Sequence, residues 1–160
     1  MTHPIVMISS YPPRPCHVAD FCAEAREFIR KHNPGRDVLV LSHTDGRGDG
    51  VLPVIDPRAD RWWETAAARL DALDPDVVHV QYDHALYDHP QRGGGGQTFL
   101  ALLEAINHFP LVVEPHALPA PLRNAEADFV FRMCMLADVV FFKCLYQKWR
   151  LDWTFPGMGL

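Results

Sequence analysis

A three-layer α/β fold, built on a mostly parallel sheet with helices on both faces, is what this chain predicts, and two observations predict it. The candidate strands are continuous apolar runs, Ile5-Val6-Met7-Ile8, Val38 to Leu41, Val77 to Gln81, Leu111-Val112-Val113 and Val139 to Phe142. Uninterrupted runs of this length suit strands buried on both faces. Between them lie stretches with helical spacing, so the order β-α-β-(α)-β-α-β-α-β reads as a Rossmann-like domain spanning residues 1–160. Right-handed crossovers then gather the strand-to-helix loops on one edge of the sheet, where open α/β folds keep their ligands.

The first strand breaks into Ser9-Ser10-Tyr11-Pro12-Pro13-Arg14-Pro15, whose prolines forbid both helix and ladder pairing. From Val18, the residues Phe21, Cys22, Ala25, Phe28 and Ile29 recur at helical spacing until Asn33-Pro34-Gly35 stops the helix. Ser42 to Pro57 is rich in glycine and proline and reads as a long loop with a brief strand at Val51 to Ile55. Asp60 is placed to cap a helix through Trp62 and Leu73. The central strand follows, then a polar loop with Gly93 to Gly96, then a helix from Thr98 to Asn107. The fourth long run ends at Glu114-Pro115-His116, and helices over Asn124 to Leu136 and Cys144 to Trp153 flank the last strand.

Composition narrows the function classes. With 160 residues, 48% hydrophobic and 22% charged, the chain is a single globular domain with enough apolar content for a core. A formal net charge of -5 supplies no general attraction to nucleic acid or anionic membranes. Cys16, Cys22, Cys134 and Cys144 form no CxxC pair and no zinc-ligand spacing, and the start MTHPIVMISS lacks the charged region of a signal peptide. The expectation is a cytoplasmic chain with free thiols. No apolar run approaches the ~20 residues of a membrane helix.

Several stretches together resemble one family. Ser10-Tyr11-Pro12-Pro13-Arg14-Pro15-Cys16-His17-Val18-Ala19-Asp20-Phe21 resembles the YPPRxCGIAxF segment of family 4 glycosyltransferases of the GT-B fold. Asp76 to Tyr82, Val112 to His116 and the ending Phe155-Pro156-Gly157-Met158-Gly159 are similar to that family's DVVHVQHE, VVxTxH and IPHG segments. The resemblance implies the amino-terminal, acceptor-side half of such an enzyme. A nucleotide-sugar donor would then be held by a second Rossmann domain, in cis or in trans, and the acceptor would be a sugar or lipid-linked glycan. It implies His116 as the catalytic histidine and no required metal. Two positions depart from the pattern: the family's glycine after the cysteine is His17 here, and Pro115 precedes His116.

The substrate-binding candidates on this reading are Tyr11, Arg14, His17, Gln81, Asp83, His84, Gly93 and Gly94. Arg14 reads either as a planar clamp for an anion or as a solvated loop residue. Asp83-His84 and Asp88-His89 form a doubled pair that matches no defined metal spacing. The glycine run lacks the lysine or ordered spacing of a phosphate-binding loop. His79 reads as a core histidine. Trp62 and Trp63 share a helix, one packing inward and the other marking a contact surface.

Two further function classes stay open. One is a non-catalytic Rossmann-like binding or scaffolding module, presenting Trp63, Tyr87 and the tail from Trp153 to a protein partner, homo-oligomers included. The other is a response-regulator-like receiver, which would need an acidic pair after strand one and an aspartate ending the central strand. Ser9-Ser10 and Gln81-Tyr82 stand at those places.

Overall fold

All six strands of the sheet run parallel, in the order β3-β2-β1-β4-β5-β6. The structure, a computed structural model, describes residues 3–87, 96–118, 122 and 124–157. In chain order the elements are β1 (Ile5–Ile8), α1 (His17–His32), β2 (Val38–His43), β3 (Val51–Ile55), α2 (Trp62–Leu73), β4 (Val77–Tyr82), α3 (His84–Tyr87), α4 (Gln97–Ile106), β5 (Leu111–Pro115), α5 (Asn124–Leu136), β6 (Val139–Val140) and α6 (Leu145–Thr154). The chain builds outward from β1 through β2 to β3, then returns to β4 and builds the other way. This reversal between β1 and β4 opens a crevice at the carboxyl ends of those strands.

Alternation within each strand divides the interior unequally. Val6, Ile8, Leu41, Val78, Val80, Leu111 and Val113 join α2, α4 and α5 in one large core. Met7, Val38 and Val40 turn to the other face and meet Cys22 of α1. Within the second core the buried Arg26 donates from Nε to the Val38 carbonyl at 2.8 Å and from Nη1 to the Tyr11 hydroxyl at 3.3 Å. The face covered by α1 is therefore the thinner one, and on β4 and β5 it carries His79, Gln81 and Glu114.

Some expected boundaries move. β6 holds two residues where four were expected: Phe141 and Phe142 leave the ladder although β5 continues two residues further, to Pro115. The residue capping α2 is Arg61, with φ 56°, and not Asp60. Pro53 is accommodated because β3 is an edge strand. Gly96 enters α4 at φ 83°, where an added Cβ would fall into the Phe129 ring. Tyr87, expected at a partner-facing edge, is instead buried. Its hydroxyl donates to the Gln81 carbonyl at 2.6 Å, which ties α3 back onto β4.

Candidate functional site

A chain of polar side chains crosses the carboxyl edge of the sheet. Ser9, just past β1, donates from Oγ to Gln81 Oε1 at 2.7 Å, and Gln81 Nε2 donates to Glu114 Oε2 at 3.3 Å. The parallel register sets Gln81 beside Glu114, so the contact follows from strand pairing. His79 Nε2 stands 3.1 Å from Glu114 Oε2, and Lys143 Nζ stands 3.3 Å from Oε1. Burial acts to raise the Glu114 carboxyl, but His79 and then Lys143 outweigh it and hold the group below its ordinary value. Glu114 is thus a buried carboxylate kept ionised by its neighbours.

Phe21, in the first turns of α1, joins this chain to the loop above it. Lys143 Nζ lies 3.3 Å from the centre of the Phe21 ring, and the His116 ring meets Phe21 edge-on at 4.9 Å. His17 lies 6.1 Å from His116. The His116 backbone N–H donates to the Tyr82 carbonyl at 2.8 Å, which fixes the loop to β4. Burial, followed by the charge of Lys143, pushes the His116 imidazole down to about 4. At neutral pH it is an uncharged ring against an aromatic face and a weak base.

Arg14 is elsewhere. Its Nε and Nη2 both reach Asp45 Oδ1, at 3.1 and 3.0 Å, across the loop that follows β2. Tyr11 is buried with Arg26. Asp83 accepts the Ala85 N–H at 3.0 Å, which orders the first turn of α3, while His84 faces solvent with Nδ1 3.4 Å from the Asp83 carboxylate. The structure therefore brings Gln81, His17 and His116 to one place and leaves Arg14 and His84 outside it. Gly93, Gly94 and the Asp88-His89 pair lie outside the described residues.

Activated nucleophiles are lacking among the groups whose acidity shifts. Burial pushes the Cys22 thiol up to about 12 and the Cys134 thiol up to about 11, and it raises the Tyr87 phenol well above its ordinary range. Among the described residues, no group of three or more histidine, cysteine or acidic side chains is placed to hold a metal ion. No helix among them is long and apolar enough to cross a membrane.

A second region carries a different chemistry. Along α6, Tyr146, Trp149 and Trp153 form a row with successive ring centroids 6.0 Å apart. Leu145 precedes them, and Val139 of the edge strand β6 and Phe141 just beyond it are exposed as well. Leu151, on the opposite side of α6, is buried in the large core and holds the helix in place. Sequence reasoning found Trp153 but not the row. The signal was its spacing, since Leu145, Trp149 and Trp153 recur every four residues and mark one helical face.

No family model matches the chain, and no curated protein matches it. A solved structure that is similar is a two-component response regulator of the LuxR family from Aurantimonas sp. SI85-9A1. It is 15% identical, with 92% of this chain and 81% of that chain covered and a TM-score of 0.48. The expectation of a glycosyltransferase half is corrected here. No family model or curated protein supports it, and the similar solved structure is a response regulator. The segments that carried the resemblance are the turn after β1 with the start of α1, the apolar run of β4, the end of β5 and the stretch that follows α6. A parallel α/β sheet requires such parts whatever it does.

Proposed function

We propose that this chain is a non-catalytic Rossmann-like binding module that docks a protein surface through the β6–α6 edge of its sheet. One observation carries the reading: Leu145 is 84% exposed, Tyr146 55%, Trp149 56% and Trp153 78% on a single helix. Large apolar side chains gathered on one surface mark interaction sites, and tryptophan and tyrosine dominate the energetics of protein interfaces. Suppressed thiols and a weakly basic His116 accord with a module that binds and does not catalyse.

The test is photochemical footprinting with a diazirine, applied to the dilute purified chain and to cells expressing it. The reading expects Trp149 and Trp153 to label heavily in the dilute protein and to be protected in cells. Equal labelling in both would remove the docking surface from the account.

A further inference from the structure

The edge that docks has an occupant the structure can specify. We infer that a second copy of this chain covers it, through a two-fold contact that lays the α6 row of one protomer against that of the other. This inference rests on the docking reading above and adds the identity of the partner.

Area is the first argument. Leu145, Tyr146, Trp149 and Trp153 expose roughly 600 Å² on one side of α6, taking fully exposed areas near those of buried aromatic side chains. Specific interfaces begin at about 1,200 Å² in total, or about 600 Å² from each partner. One such edge facing its own copy therefore meets the requirement without recruiting other surface.

Charge is the second. Lys148 Nζ is already paired with Asp152 Oδ2 at 2.9 Å. Arg150 Nη1 donates to the Tyr146 hydroxyl at 2.8 Å, and its guanidinium lies 5.6 Å from the centre of that ring. Lys143 is turned toward Glu114. Lys148 and Asp152 neutralise each other within the protomer, and the remaining α6 charge, Arg150, lies over an aromatic ring, a setting that the aromatic row of a second copy also offers. A strongly acidic or basic partner would find little there to match. An apolar aromatic face whose one uncompensated cation is met by aromatic rings complements itself, which is what an isologous two-fold contact needs.

Topology is the third. β6 is the last strand in the sheet order, so its outer side has no neighbouring strand among the described residues. It is two residues long, too short to template an extended ladder. Closed pairing by the side chains of α6 therefore suits this edge better than open-ended strand addition.

Sedimentation velocity of the full chain from sub-micromolar to hundreds-of-micromolar concentration is the test, with Leu145→Glu/Trp149→Glu in parallel. The expected result is a wild-type mass that doubles from 18.1 kDa with concentration, and a variant that stays monomeric and whose thermal unfolding midpoint equals that of the wild type in dilute protein, where both are monomers. Tyr146→Lys/Trp153→Lys reads the same surface should the first variant fail to fold. A wild type that stays monomeric throughout, a folded variant that dimerises as the wild type does, or open-ended association would each overturn the second copy. Protection of Trp149 in cells alongside a monomeric purified chain would reject the self-contact and leave docking to another protein standing.

Discussion

Tyr82, Tyr87, Phe99 and Phe129 share one interior, with ring centroids 4.5 to 6.4 Å apart, and Trp62 stacks on Tyr87 at 5.7 Å. Tyr146, Trp149 and Trp153 neighbour one another at comparable distances on the exposed side of α6, their rings tilted. Residue types are alike in the two groups; the first is assembled from α2, β4, α3, α4 and α5 and the second lies along one helix, and what differs is the cover over them. Helices α2, α4 and α5 lie over the broad face of the sheet, so Trp62, Phe99 and Phe129 are enclosed. Helix α6 reaches that core through Leu151 and leaves its other side uncovered. Apolar periodicity therefore reports a face that wants covering, and it does not report whether the chain itself supplies the cover.

The comparison can be broken by substitution. Phe99→Ala should cost about 3–5 kcal/mol in urea unfolding, because a fully buried ring is replaced by a cavity among three other rings. If it cost as little as an exposed residue, the distinction between the two groups would collapse.

Glu114→Ala should cost about 3 kcal/mol, since it leaves Lys143 and His79 facing a site with no counter-charge. The sign of its pH dependence follows from the lowered carboxyl. The stabilisation is present above the unfolded value of about 4.3 and is lost as pH falls through the lower folded value. Glu114→Gln should unfold with less acid sensitivity at the low end. An unchanged acid limb would mean that the carboxylate is not ionised in the folded chain.

His116 sharpens the same contrast in a higher window. Its imidazole takes a proton near 6.5 when unfolded and only near 4 when folded. Between those values the unfolded chain binds the extra proton, so stability rises with pH across that window and is fully present above it. His116→Gln should flatten the slope between pH 4 and 6.5 in a series of urea titrations. A slope as steep as wild type would assign it to another group.

The smallest effect belongs to the edge. Trp149→Ala should change the unfolding free energy by less than about 0.5 kcal/mol when measured in dilute protein, because the ring contributes no core contact. A loss of several kcal/mol would place α6 in the core.

The sequence made the sheet legible because burial on both faces writes itself as unbroken runs, and β1, β2, β4 and β5 fall on such runs. It misplaced the end of β6, since Phe141 and Phe142 are as apolar as the strand they leave and nothing in their residue types marks where pairing stops. At the site, Gln81 and His116 stood out as polar residues at strand ends. The link from Ser9 through Gln81 to Glu114 and Lys143 depends on register between strands distant in sequence, which no local pattern encodes. Arg14 looked available because its partner, Asp45, lies 31 residues away in a loop of no defined pattern. Tyr87 looked like surface because a short polar-flanked helix hides the fact that its hydroxyl is spent on the β4 backbone.

Acrylamide quenching of single-tryptophan variants in dilute protein tests the central claim most directly. The account predicts that Trp149 and Trp153 quench almost as freely as tryptophan in solution, while Trp62, 2% exposed, is shielded. Shielding of Trp149 and Trp153 equal to that of Trp62 in the monomer would show that the chain covers its own edge and would contradict the account.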